Sequence, residues 1–143
     1  FFSQYAQEIM KLPVMLGIQP ALKKLAQEHT LIIVSSTIAA PISAYADFHN
    51  LSQYFAEILG GDHEKSKTKK FQMIIKKYGT SPQDCVFITD TLGDLREANQ
   101  AEVSSLAVTW GFHPIETLAR GAPVGFINSP EEIANKVADF FAG

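Results

Sequence analysis

The sequence is poor in cysteine and tryptophan, with one of each among 143 residues. A single cysteine excludes an internal disulfide framework. Cys85 stands at the start of an apolar run, so we expect it to pack as a small apolar residue. This cysteine usage fits a reducing compartment, and we expect a cytoplasmic protein.

Long apolar runs and an excess of basic residues are also missing. No run approaches the roughly 18 apolar residues that a membrane-spanning helix needs, so we expect no membrane partner. The formal net charge of −3 gives no basic field, so nucleic acid is not an expected partner either. The histidines have no metal-ligand spacing; they are His29, His49, His63 and His113.

Apolar runs of strand length alternate with segments of helical periodicity. The predicted strands are 31–34, 58–61, 86–89, 104–108 and 124–127. The predicted helices are 1–10, 18–27, 39–48, 67–78, 93–101, 115–120 and a last one that begins at 129–132 and buries Ile133, Val137, Phe140 and Phe141. This alternation predicts an α/β fold, a three-layer Rossmann-like parallel sheet with helices on both faces.

Groups that can hold a phosphate and a metal ion follow two of these strands. Ser35 and Ser36 come directly after 31–34, and Asp90 comes directly after 86–89. A lysine cluster at 65–70 opens the helix between them. Because ligands of open parallel sheets bind beyond the carboxyl ends of the strands, we predict that these groups converge on one rim.

Each group also has a simpler interpretation. Asp90 can offer Mg²⁺ a hard oxygen ligand, and Asp94 can bind a metal water or orient a lysine, but Asp94 can equally be a helix-start acid. Ser35 and Ser36 can cradle an anion or cap a helix. Among the lysines, we expect most to be solvated. Lys67 is the preferred phosphate ligand because Ser66 can cap the helix that it begins, and Lys65 is a close second.

Three segments occur in a fixed order: the hydroxyls after 31–34, the lysine cluster at 65–70 and the acids after 86–89. In this order they resemble the haloacid dehalogenase superfamily of phosphatases, and most closely its phosphoglycolate-phosphatase-like branch. Ser35, Lys67 and the pair Asp90 and Asp94 match three of its motifs. Further similar segments are 60–62, 87–94, 108–112, 121–123 and 129–132.

The resemblance implies a magnesium-dependent phosphate monoester hydrolase that acts on a small phosphorylated metabolite. In such an enzyme Ser35, Ser36 and Lys67 would bind the phosphoryl group, and Asp90 and Asp94 would ligate Mg²⁺. Lys67 would also steady an aspartate nucleophile that forms a covalent aspartyl-phosphate.

The family's first motif, Asp-x-Asp after the first strand, has no counterpart in these residues. The strand that carries it is central in the family sheet, between the strands that lead to Ser35 and Asp90. Since the sequence begins with Phe1 rather than methionine, we expect a processed start or a longer, here truncated, protein. Residues 1–15 would then be a remnant of the helical cap and its linker, and 16–143 an incomplete core domain.

Without that motif we expect the isolated chain to be hydrolytically inactive. The alternative is a non-catalytic, degenerate relative with a phosphate-binding or interaction role. An unrelated receiver-like or flavodoxin-like module is disfavoured by the motif order. The substrate is left open, and an exposed sheet edge would allow a homodimer.

Two smaller departures from the family pattern are local. No proline follows Lys67, unlike the Lys-Pro form common in this branch. Glu102 stands where relatives usually have glycine, and a left-handed conformation there would cost about 1 kcal/mol.

Overall fold

The computed structural model describes residues 16–143, so the predicted helix 1–10 and the predicted cap remnant 1–15 lie outside the described residues. The chain divides into two compact units with the boundary between Lys65 and Ser66. Among residues 16–143, no helix is both long and apolar enough to cross a membrane.

The first unit is a short parallel sheet with helices between its strands. Its elements in chain order are α1 (Ile18–Glu28), β1 (Ile32–Val34), α2 (Ala39–Phe48), a 3₁₀ turn (Ser52–Tyr54) and β2 (Glu57–Leu59). β1 and β2 pair in parallel, with Ile32 opposite Glu57 and Val34 opposite Leu59.

The second unit repeats the same plan with three strands. Its elements are α3 (Lys67–Tyr78), a 3₁₀ turn (Pro82–Asp84), β3 (Val86–Thr89), α4 (Leu92–Gln100), β4 (Ser104–Val108), α5 (Ile115–Ala119), β5 (Gly125–Ile127), a 3₁₀ turn (Pro130–Glu132) and α6 (Ile133–Ala142). The strand order is β3-β4-β5, and both pairings are parallel. The predicted α/β class with parallel strands is confirmed.

Local signals explain why α3 begins and ends where it does. The Ser66 side chain accepts a hydrogen bond from the Lys69 N–H at 3.2 Å, which satisfies one of the free donors at the helix start. Gly79 ends the helix in the left-handed region at φ 60°. The predicted bounds of this helix are therefore confirmed at both ends.

The core of the second unit lies between β4 and the helices that follow β3 and β4. Leu95, Ala107 and Leu118 are completely buried, and the Phe126 ring packs against them. On the last helix, Ile133 and Val137 are buried as predicted.

The prediction for Phe141 is wrong, because its side chain is 41% exposed. It stands in the last turn of α6, next to the chain end. There its ring contacts the neighbouring Phe140 edge-on at 4.9 Å.

The strands that lead to the predicted site are edge strands in the described chain. β1 pairs with β2 alone and β3 with β4 alone, and the two belong to separate sheets. That a central strand of the family sheet is missing stays a prediction.

Glu102 has a positive φ of 62°, so this residue adopts a left-handed conformation. We expect Glu102→Gly to raise the free energy of unfolding by about 1 kcal/mol, because glycine removes the Cβ clash while adding some entropy to the unfolded chain. Urea unfolding, monitored through the fluorescence of Trp110, the one tryptophan, would measure this change in the free energy of unfolding. Glu102→Ala is the matched control, since it removes the charge and keeps the Cβ. Equal stability of the two variants would contradict the prediction.

Candidate functional site

The turn from β3 into α4 carries both predicted carboxylates. Asp90 follows the last residue of β3, and Thr91 caps α4 by accepting a hydrogen bond from the Asp94 N–H at 3.3 Å. This cap places Asp94 in the first turn of α4, where the helix dipole favours a negative charge.

Asp94 joins two other polar side chains in a largely buried network. Its Oδ1 pairs with the Lys67 Nζ at 2.6 Å, and its Oδ2 accepts from the Thr89 hydroxyl at 2.7 Å. The side chains of Lys67 and Asp94 are only 8% and 19% exposed. Both carboxylate oxygens of Asp94 are thus engaged within this network.

The start of α3 is held against α4 by two further bonds. The Lys67 N–H donates to Glu97 Oε2 at 2.8 Å, and the Thr68 hydroxyl donates to the Glu97 carbonyl at 2.9 Å. Thr68 follows Lys67 directly, and its hydroxyl supplies a contact that a proline at this position would lack. The Glu97 carboxylate, which lies against the start of α3, also complements the dipole of that helix.

Asp90 is held by the segment that follows β4. Its Oδ2 accepts a hydrogen bond from the Phe112 N–H at 2.8 Å. Gly111 lies so close that a Cβ there would be 2.7 Å from Asp90 Cγ and nearer still to Oδ2. No hydrogen bond from residues 16–143 reaches Asp90 Oδ1, so this oxygen is the one available to a ligand.

The predicted hydroxyl cradle in the first unit is a tight turn. Ser35 Oγ accepts from the Thr37 N–H at 3.1 Å, and the Gly61 N–H donates to the Thr37 carbonyl at 2.9 Å. Added side chains at Gly60 and Gly61 would collide with the main chain of Thr37 and Ser36, respectively. The glycine pair therefore allows the two loops to touch.

Asp62 completes this turn from the same loop. Its Oδ1 accepts from the Ala39 N–H at 2.9 Å, which caps the first turn of α2. The Ser35 hydroxyl thus acts as a local turn acceptor, and the α2 cap comes from Asp62.

The structure brings Lys67 and Asp94 together and places Asp90 between the end of β3 and the start of the helix that carries Asp94. Ser35 and Ser36 belong to the first unit, whereas Lys67, Asp90 and Asp94 belong to the second. Each set of residues therefore has a geometry defined within its own unit. Their convergence on one rim stays a prediction.

The expectation that most of the lysine cluster is solvated holds only for part of it. Lys65 and Lys69 are exposed, but Lys70 is completely buried and Lys67 nearly so. The two buried lysines share one face of α3 with Phe71, at the helical spacing of three and four residues. A pattern of dense lysines does not reveal which of them a neighbouring helix covers.

The donors around Asp90 have the chemistry that Mg²⁺ prefers. Asp90 Oδ1 and the carboxylate of Asp94 are hard oxygens, and Mg²⁺ binds with one or two carboxylates while keeping waters and substrate oxygens. Among the residues described, no cluster of three or more acidic, histidine or cysteine side chains forms a complete cage. Both acids are therefore donors of the kind that Mg²⁺ binds.

Cys85 is a free, half-buried cysteine. Burial, with a smaller contribution from the Asp84 carboxylate, raises the pKa of the thiol. A raised pKa lowers the thiolate fraction at neutral pH, and the thiolate is the reactive form. The predicted apolar packing holds only in part, because the Cys85 thiol donates to the Ser81 carbonyl at 3.5 Å.

Residues 1–108 match the family model described as haloacid dehalogenase-like hydrolase. The chain is 27% identical over 110 residues to a protein from Dickeya dadantii named probable phosphatase IndB, covering 75% of this chain and 48% of that one. It is 25% identical over 137 residues to phosphoglycolate phosphatase 1 of Pseudomonas aeruginosa, covering 93% and 50%. The chain thus spans about half the length of these curated relatives.

A solved structure supports the same fold. A haloacid dehalogenase-like hydrolase from Streptococcus pneumoniae superposes with a TM-score of 0.84 at 22% identity, over 96% of this chain and 64% of that one. At this identity the likeness is one of fold.

Proposed function

Because the chain belongs to the haloacid dehalogenase-like hydrolase family, we propose that it forms part of a magnesium-dependent phosphate monoester hydrolase of the phosphoglycolate-phosphatase-like kind. The observation that carries the proposal is the buried pair of Lys67 Nζ and Asp94 Oδ1, 2.6 Å apart, on the helix that follows Asp90 and the carboxyl end of β3. A fixed cation held by that helix, together with a carboxylate that has one oxygen available, suits a phosphate bound together with a metal ion.

Each residue has a distinct part in this proposal. Asp90 holds Mg²⁺ through Oδ1, and Asp94 keeps the Lys67 ammonium in place and supports the metal site. Lys67 neutralises a phosphate oxygen as a point charge. Bound Mg²⁺ would supply charge stabilisation to the transferring phosphoryl group.

The first unit would contribute the remaining phosphate contacts. In this proposal the Ser35 and Ser36 hydroxyls and the main-chain N–H groups of their turn bind the phosphoryl oxygens. The substrate is a small phosphorylated metabolite. Residues 16–143 form the core domain, and 1–15 belong to the cap and its linker.

The nucleophile is the part that these residues do not provide. The sequence contains no Asp-x-Asp motif, and no aspartate precedes Ser35. The isolated chain is therefore proposed to be inactive, with an aspartate from residues outside these 143 completing the site.

The test is a phosphatase assay with Mg²⁺ and p-nitrophenyl phosphate. We expect no turnover by the isolated chain, and turnover by a longer product in which upstream coding sequence supplies an Asp-x-Asp strand. Asp90→Asn should abolish that turnover. Hydrolysis by the isolated chain that disappears in Asp90→Asn would contradict the proposed inactivity.

The second candidate is a non-catalytic phosphate-binding relative, favoured by the same lack of an Asp-x-Asp motif. Upstream coding sequence without that motif, together with phosphate binding that depends on Lys67, would support it over the enzyme.

A further inference from the structure

The segment from Trp110 to His113, here called the 110–113 loop, is tied to the β3–α4 turn by three hydrogen bonds. The Phe112 N–H donates to Asp90 Oδ2 at 2.8 Å, and the His113 N–H donates to the Asp90 carbonyl at 3.1 Å. In the opposite direction, the Leu92 N–H donates to His113 Nδ1 at 3.0 Å. The loop therefore holds the carboxylate, the carbonyl and the next helix start together.

Apolar packing of the loop does not by itself explain this arrangement. The Phe112 side chain is 77% exposed, so its ring gives the loop little anchorage. Gly111 has no side chain, and adding one would collide with Asp90. Trp110 and His113 are half-buried, and the three hydrogen bonds add to their packing in holding the loop against Asp90.

The His113 ring accepts a hydrogen bond from a main-chain N–H at the start of α4 that the Thr91 cap does not reach. Thr91 satisfies the Asp94 N–H, but the N–H of Leu92 in the same first turn has no partner within its helix. His113 Nδ1 accepts from that N–H, which requires the neutral ring with its proton on Nε2. One side chain thus joins the start of α4 to the loop that fixes Asp90.

We infer that His113 is a positioning residue for the metal ligand Asp90. By accepting from Leu92, its ring holds the 110–113 loop where the Phe112 N–H occupies Asp90 Oδ2, so that Oδ1 is presented to the ion. The inference rests on the proposed metal role of Asp90. Partners that orient a ligating group in this way commonly change metal affinity by about 10–100-fold when they are lost.

Two substitutions of His113 distinguish the effect of its hydrogen-bond acceptor from the effect of its ring. His113→Phe keeps a ring that can contact Phe112 but removes the acceptor, and His113→Asn keeps an acceptor near the position of Nδ1 but removes the ring. The first readout is amide hydrogen exchange at Leu92 and Phe112. The second is broadening of the NMR signals of residues 89–94 by Mn²⁺, which also reports weak binding.

We expect His113→Phe to speed exchange at both amides about tenfold and to weaken Mn²⁺ binding about tenfold, while His113→Asn stays near the unmodified chain. Exchange at Leu106 in β4 serves as the check that the fold is intact. Equal behaviour of the two variants in both readouts would overturn the inference, because the acceptor would then have no separate effect.

The two proposals fail in different ways. If Mn²⁺ broadens no signal near Asp90 in the unmodified chain, the proposed metal site is wrong, and the positioning role falls with it. If Mn²⁺ binds there but His113→Phe changes neither exchange nor affinity, the positioning role alone is wrong.

Discussion

Replacing Asp94 with alanine is expected to lower the free energy of unfolding of the second unit by about 3 kcal/mol, because a largely buried ammonium then loses its carboxylate. The Lys67 Nζ would lose a partner at 2.6 Å, and the Thr89 hydroxyl would lose its acceptor at 2.7 Å. Urea unfolding followed by Trp110 fluorescence reports on this unit, since Trp110 lies within it.

Two controls distinguish the lost pair from a general effect of removing an acid. Asp139→Ala removes an exposed carboxylate on α6 and should change stability by less than about 0.5 kcal/mol. Lys67→Met combined with Asp94→Ala should be more stable than Asp94→Ala alone, because no uncompensated charge remains. An effect of Asp94→Ala no larger than that of Asp139→Ala would show that the pair contributes little.

Gly111→Ala is expected to weaken Mn²⁺ binding at Asp90 by at least about tenfold while the chain stays folded. The new Cβ would lie 2.7 Å from Asp90 Cγ, so the carboxylate or the loop must move. Either movement breaks the bond from the Phe112 N–H to Oδ2. The measurement is Mn²⁺ broadening of the signals of residues 89–94, with circular dichroism to check the fold.

Gly93→Ala is the matched control for this substitution. Gly93 lies in the first turn of α4, and a Cβ there would meet no atom within 4 Å. Alanine is the better helix former, so this variant should be slightly more stable and bind Mn²⁺ as before. If Gly111→Ala binds the ion as tightly as Gly93→Ala, close packing at Gly111 does not hold Asp90 in place.

Local sequence signals were enough to predict much of the fold. The helix 67–78 was predicted with its observed bounds because Ser66 and Gly79 mark its ends by capping and by left-handed backbone. The strands 86–89 and 104–108 also have the predicted bounds, since short apolar runs bounded by polar residues are typical of buried parallel strands.

Other features depend on contacts between distant residues and have no local signal. Lys70 is buried because other parts of the chain pack against the face of α3 on which it lies, and this packing has no signal in the sequence around Lys70. The bond from Leu92 to His113 joins residues 21 apart in sequence. The Thr89 hydroxyl belongs to the site through its bond to Asp94, and its position directly before Asp90 is the one sequence signal for it. Gly111 lies in a segment that resembles the family, but its packing against Asp90 needed coordinates.

Asp94 shows both a role with a local sequence signal and a role that depends on a contact with a distant residue. Its spacing from Asp90 allowed a helix-start acid, a metal ligand or a lysine partner. The structure gives it the first and third of these together, because α4 begins at Leu92 and the Lys67 side chain reaches it from α3. A metal contact through the same carboxylate stays a prediction.

Comparison of Mn²⁺ titrations of the unmodified chain and of Asp90→Asn, followed through the amide signals of residues 89–94, tests most directly whether this turn holds a metal ion. We predict selective broadening of these signals in the unmodified chain and its loss in Asp90→Asn. Identical broadening in the two proteins, or none in either, would contradict a metal-binding role for Asp90.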